Sequence, residues 1–281
     1  MSQNIPSLMD MLKAGMHFGH QKSRWHPKMK PYIFGVRNGV HIINLERTAL
    51  ELEKALSYAA DLAANGKTIL FVGTKRQAQN IVKAAALNCG MPFLTERWIG
   101  GLLTNFDETK QRLKKYKNLK QQIESGEIEK YTKKEQLDIK KSVEKMDKYL
   151  SGLTTLEKMP EALFIIDLRV SKTAVAEAQR TNVPIIGVCD TNVNPDQATV
   201  VIPANDDAVN SIKIISDLMS EAIKEGKVKW EKNKAAMEKE MKKAPIMAEV
   251  KNTEGKSSLV KAAAKVTKAP VRRAVTKESS I

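Results

Sequence analysis

Apolar positions along this chain follow two different rhythms. At the start, Leu8-Met-Asp-Met-Leu-Lys-Ala14 spaces its side chains as one or two helical turns and stops at Gly15. Tyr32-Ile-Phe-Gly-Val36 and Val40-His-Ile-Ile43 are β-rich runs around Arg37-Asn38-Gly39. Asn-Gly supplies the positive φ angles of a tight turn, so the two runs form a hairpin. Leu45, Ala49, Leu52, Leu56, Ala59 and Ala63 keep a helical spacing over 45–64, and Asn65-Gly66 ends it. From Thr68 the rhythm changes to short, continuously apolar runs separated by helical ones. Strands are expected at 68–72, 92–95, 162–167, 183–188 and 199–202, with helices from after Lys75 to about Asn88, at 171–180 and at 206–224. Apolar strands alternating with helices make a parallel sheet covered on both faces. The expected fold class is therefore α/β, a doubly wound, Rossmann-like or flavodoxin-like parallel sheet.

Residues 107–157 interrupt this alternation. Leu113, Tyr116, Leu119 and Ile123 form one helical stripe, Ser125-Gly126 breaks it, and Ile139, Val143, Met146, Leu150 and Leu153 repeat at steps of four and three. That spacing is a heptad seam, and two such helices around a break fold back as an inserted antiparallel coiled-coil hairpin. Thr132-Lys-Lys-Glu135 offers a capping box for the second helix. Beyond Trp230 there is no aromatic residue, and Ala, Lys, Val, Ser and Thr dominate. A fraying helix to about Ala244 and then a mobile basic tail are expected. The domain organisation reads as a basic N-terminal extension with a β-hairpin (1–44), an α/β domain (45–106 with 158–226), the hairpin insertion (107–157) and a basic tail (227–281).

Charge sharpens the picture. The chain of 281 residues has a formal net charge of +15. Residues 1–50 hold seven Lys and Arg against two acids, 107–150 hold 13 against nine, and 231–281 hold 13 against six. The rest is nearly balanced. A neutral core with basic appendages is suited to a polyanion, because clustered cations release counterions from phosphates. With 14 aromatic residues in all, recognition by serial base stacking is disfavoured and backbone or shape recognition is favoured. Cys89 and Cys189 lack metal-ligand spacing and read as buried free thiols of a reducing compartment. No apolar run approaches the roughly 18 residues of a membrane span, so a cytoplasmic protein without a membrane partner is expected.

Four constellations could carry chemistry. His17, His20, His26 and His41 cluster in the first segment and read as histidines that hydrogen-bond backbone or face phosphate. A metal site completed by Asp190 or Asp206 is the alternative. Gly73-Thr-Lys75-Arg76 follows a strand where such sheets bind phosphate, but it matches neither nucleotide fingerprint. It reads as a basic turn meeting RNA, with a free-nucleotide pocket as the alternative. Asp167 and Asp190 end strands and read as turn caps, with Mg²⁺ binding in a phosphotransfer enzyme as the alternative. Finally, the hairpin could serve as a pure protein-interaction module.

Longer strings are more specific. Met11-Leu-Lys-Ala-Gly-Met-His-Phe-Gly-His20, Trp25-His-Pro-Lys-Met-Lys-Pro-Tyr-Ile-Phe-Gly35 and Val40-His-Ile-Ile-Asn-Leu-Glu46 resemble the N-terminal signature of bacterial ribosomal protein S2, of the small subunit. Phe71-Val-Gly-Thr-Lys-Arg-Gln77, Arg97-Trp-Ile-Gly-Gly-Leu-Leu-Thr-Asn-Phe106, Pro160-Glu-Ala-Leu-Phe-Ile-Ile-Asp167, Asn182-Val-Pro-Ile-Ile-Gly-Val-Cys-Asp-Thr-Asn192 and Ile202-Pro-Ala-Asn-Asp-Asp207 continue it in order. The resemblance covers roughly residues 8–226 and leaves out the tail. It implies a structural, non-enzymatic component of the small ribosomal subunit, without cofactor, near the junction of head and body. The implied partners are ribosomal RNA and neighbouring proteins, including the large OB-fold messenger-binding protein. Joined to the charge map, it nominates Lys22, Arg24, Lys28, Lys30 and Arg37 as phosphate contacts, with Trp25 packing or stacking between them. Lys75, Arg76 and Arg97 follow at turns beside the sheet, and Lys110, Arg112, Lys114, Lys115 and Lys117 on the hairpin.

Overall fold

The computed structural model describes residues 5–234. The chain divides into two units, 1–230 and 231–281; of the second, only 231–234 are described, and they are helical. The expected fraying to residue 244 and the mobile tail lie outside the described residues.

The first unit begins with helix α1 (Leu8–Lys13), capped by the Ser7 side chain, and a small antiparallel sheet. Strands β2 (Ile33–Arg37) and β3 (Val40–Ile43) pair through the expected turn, in which Asn38 and Gly39 take φ values of 51° and 77°. That left-handed pair matches the right-handed twist of the strands it joins. A third strand, β1 (Phe18–Gln21), pairs with β3 and was not expected, because Phe18-Gly-His-Gln lacks apolar alternation.

Helix α2 (Leu45–Ala64) leads into the main sheet, starting on the Asn44 side chain, which accepts from the N–H groups of Glu46 and Arg47. The sheet consists of β4 (Ile69–Val72), β5 (Phe93–Leu94), β6 (Ala162–Ile166), β7 (Ile185–Cys189) and β8 (Val200–Pro203). All four pairings are parallel and the spatial order is β5-β4-β6-β7-β8. This is the flavodoxin-like order, whose topological switch lies between its first and third strands, here β4 and β6.

Alternation decides which core each strand residue enters. Ile69, Phe71, Phe164, Ile166, Ile186 and Val188 face one layer, built from α1, α2, α3 (Gln79–Cys89) and α7 (209–230). Leu70, Val72, Leu163, Ile165, Ile185 and Cys189 face the other. There α6 (Lys172–Thr181) covers part of the sheet, and the rest is covered by the roots of α4 (Phe106–Glu124) and α5 (Lys133–Leu150). Leu113, Tyr116, Leu150, Leu153 and Leu156 are buried with the strands, whereas Val143 and Met146 pack at the margin. The heptad stripe therefore serves two purposes. Near the sheet it closes the core, and further out it joins the two helices, with Tyr116 bonded to Asp147 across them. The capping box at Thr132 and Glu135 is present.

The path from β5 into α4 is held by one carboxylate. Glu177, on the inner side of α6 and 6% exposed, accepts from Trp98 Nε1 at 3.0 Å and Gly101 N at 2.9 Å through Oε1. Its Oε2 accepts from Leu103 N, Thr104 N and Thr104 Oγ1 at 3.1–3.3 Å. Burial alone would raise this carboxyl, but the donors of Trp98, Gly101, Leu103 and Thr104 outweigh it and hold it below the ordinary value. Glu177→Gln replaces one acceptor by a donor that opposes the N–H groups of Leu103 and Thr104. We expect a loss of about 1–3 kcal/mol at pH 7. A lowered carboxyl stabilises above its unfolded value of about 4.3, and that contribution disappears as pH falls through the folded value. Chemical denaturation at pH 7 and pH 3.5 should therefore show a deficit for the variant that shrinks at the lower pH.

Candidate nucleic-acid interface

Sheets of this topology bind ligands beyond the carboxyl ends of their strands, at the switch point. In this chain that place is occupied by its own charges. After β4 the chain turns through Gly73, Thr74 and Lys75, and α3 begins only at Gln79 because the N–H groups of Ala78 and Gln79 first return to the Lys75 carbonyl. Lys75 Nζ points back over the strand ends, 2.7 Å from Asp206 Oδ1, 2.7 Å from Asp207 Oδ1 and 3.5 Å from Asp167 Oδ2. Asp206 and Asp207 lie outside α7, which starts at 209 rather than 206, because the Asn205 side chain accepts from the N–H groups of Asp207 and Ala208. Burial would lower the Lys75 ammonium, but Asp206, Asp207 and Asp167 more than reverse this and push it up. Burial, then the charges of Asp167 and Asp190, raise Asp206 against the pull of Lys75. A single cation among these acids leaves a negative surround, which opposes a phosphate. Lys75 is thus set apart from the other nominated cations.

The N-terminal segment is fastened to the same edge. The backbone N–H of His20 donates to Thr191 Oγ1 at 2.9 Å, and that of His26 donates to the Thr191 carbonyl at 2.7 Å. A side chain at Gly19 would meet Thr191 Cγ2 at 2.6 Å, so only glycine lets β1 approach this closely. His20 Nδ1 lies 3.0 Å from Asp190 Oδ2, while Nε2 lies 3.0 Å from Asn192 Nδ2 and 3.7 Å from Asp207 Oδ2. The bond to Asp190 raises the imidazole above its ordinary value. His20, Asp190 and Asp207 present ligand atoms all within 4.8 Å of one another, a nitrogen and carboxylate set suited to a divalent cation such as Zn²⁺. The other histidines go elsewhere. His17 stacks on Phe18 at 4.0 Å, His26 Nδ1 accepts from Lys28 N, and buried His41 packs on Trp25 at 5.1 Å. Sequence spacing pairs His17 with His20, whereas the fold pairs His20 with acids 170 residues or more away.

The strand-ending acids act as turn caps. Asp167, in a left-handed conformation at φ 64°, accepts from Arg169 N and Val170 N through Oδ1, and Asp190 Oδ1 accepts from Thr191.

The nominated cations fall into groups. Lys22 and Arg24 stand exposed on a 3-10 turn, and Lys30 and Arg37 are exposed nearby. Lys28 is ion-paired with Asp196, and Trp25 is half-buried against His41. Arg76 and Arg97 are exposed just beyond the carboxyl ends of β4 and β5, neighbouring strands. On α4, Lys110, Lys114 and Lys117 line a groove, whereas Arg112 pairs with Glu108 at 3.2 Å and Lys115 lies on another face. Sequence reading missed Lys158, which shares that groove, and Glu177, whose partners lie more than 70 residues away. Lys158 carried a faint signal as a lone cation in the return from the hairpin; Glu177 carried none.

Removing the Lys75 ammonium strands three carboxylates. Lys75→Met should destabilise the protein by about 3–5 kcal/mol, read as a lower denaturation midpoint. Adding Asp206→Asn should recover part of that loss, giving a coupling energy in the double-mutant cycle.

One comparison with known proteins bears on this arrangement. Residues 11–226 match the family model for ribosomal protein S2, a span that takes in the fastened N-terminal segment, the switch-point charges, Glu177 and the hairpin. The chain belongs to the ribosomal protein S2 family, whose members are structural proteins of the small ribosomal subunit acting in translation and are not enzymes.

Proposed function

We propose that this protein binds small-subunit ribosomal RNA through its exposed cations and so helps hold the subunit together near the junction of head and body. The observation that carries the reading is the family match over 11–226 joined to an edge where cations face outward. Lys22, Arg24, Lys30, Arg37, Arg76 and Arg97 are exposed, and at the same edge the buried charges are already paired internally. Outward cations position a phosphate backbone without reading sequence, which suits a folded RNA. Lys28, Trp25 and the hairpin cations Lys110, Lys114 and Lys117 belong to the proposed contact surface as well, whereas Arg112, paired with Glu108, and Lys115 turn to another face of α4. Neighbouring small-subunit proteins, the large OB-fold messenger-binding protein among them, complete the proposed partners, and the cytoplasm is the proposed location. Among the described residues no helix is long and apolar enough to cross a membrane.

Ion pairing at the switch point weighs against the nucleotide-enzyme reading. Lys75, the residue such a reading needs for phosphate, already faces three carboxylates.

Sedimentation of a tagged copy through a density gradient tests the proposal. The protein should travel with the small subunit at moderate salt and be released by ribonuclease. Replacing Lys22, Arg24 and Arg37 together by Ala should lower the salt at which it is released, with the log–log salt slope reduced by about one ion for each lost phosphate contact. Migration as a free protein of 31.3 kDa under all conditions would overturn the reading.

A further inference from the structure

The nominated cations of α4 are not equivalent. At about 100° per residue, Lys110, Leu113, Lys114 and Lys117 share one face, while Arg112 and Lys115 point away from it. That face meets the segment returning from the hairpin, and together they enclose a groove of about 370 Å³. Its floor is the apolar pair Leu113 and Leu156, both buried, and its walls carry Lys110, Lys114, Lys117 and Lys158. All four lysines are exposed, and none takes part in an ion pair among the described residues. Glu157 is the single acid on the rim. Off this face, by contrast, Arg112 of the same helix is paired with Glu108 and Lys120 approaches Asp147.

We infer that this groove at the root of the hairpin is a phosphodiester-binding site for a backbone stretch of ribosomal RNA. The inference rests on the RNA-binding reading above and narrows it to one face of α4 plus Lys158. Four ammonium groups around one concavity repel each other, and a threaded polyanion relieves that repulsion while releasing its own counterions. The apolar floor accommodates sugar edges and lysine stems without demanding a particular base. The walls are lysines with one acid, Glu157, so base edges are left largely unread. An acidic protein segment would satisfy the same charges, so the occupant is part of the test.

Two double variants remove the same charge from the same helix. Lys114→Gln with Lys117→Gln strips the groove, and Arg112→Gln with Lys115→Gln strips the opposite side. Each is reconstituted into small subunits lacking this protein, and release is followed over a salt series. The groove variant should flatten the log–log salt slope by about 1.4–1.8, at 0.7–0.9 per contact, and adding Lys158→Gln should flatten it further. The opposite-side variant should keep the wild-type slope. A photoreactive lysine analogue at position 114 should label RNA. Equal slopes for the two variants, or a label on protein instead of RNA, would overturn the groove assignment while wild-type association with the subunit still stands. If the wild type itself does not join the subunit, the wider RNA-binding reading falls, and this one with it.

Discussion

One ammonium group holds the centre of this molecule. Lys75 stands where the ends of β4, β6 and β8 converge, facing Asp206, Asp207 and Asp167. Without it, a set of carboxylates would repel one another at the point where the strand order reverses. With it, the turn after β4, the turn after β6 and the approach to α7 are pinned together, and His20 extends the arrangement through Asp190 and Asp207 to the N-terminal segment. A fold class that commonly uses this crevice for phosphates here uses it to fasten its own parts. In the proposed reading, function is thereby displaced from the crevice to its surroundings.

That displacement matches the charge distribution along the chain. Neutral sheet segments supply rigidity, and cations concentrate in segments added before the sheet and within it. Each added segment is tied back by a buried polar device: Thr191 receives the N-terminal segment, and Glu177 gathers the loop leading into α4. Loops built this way present charged side chains from a fixed backbone, so ordering them on a partner costs little further entropy.

Much of this was legible in the sequence. The apolar runs 68–72, 162–167 and 183–188 marked buried parallel strands, Asn38-Gly39 marked the hairpin turn, and Thr132 with Glu135 marked a helix start; all stand in the structure. Strand β1 was not legible, because its pairing depends on a glycine that lets backbone meet backbone rather than on apolar alternation. The start of α7 shifted by three residues because Asn205 caps a turn that frees Asp206 for Lys75. The basic turn at Lys75 looked like a phosphate contact since its acidic partners at 206 and 207 lie 131 residues or more away in sequence. Local pattern reveals where a charge sits and not which distant charge answers it.

The hairpin's root and its shaft have different roles. Leu113, Tyr116, Leu150, Leu153 and Leu156 close the second face of the sheet, the role a crossover helix fills in simpler doubly wound folds. The insertion is therefore not a detachable module. Excising it whole would open Leu163 and Ile165 to water, whereas trimming matched turns from its far end would leave the sheet sealed. The shaft can lengthen or shorten without reaching the core, whereas the root must keep pace with the strands beneath it.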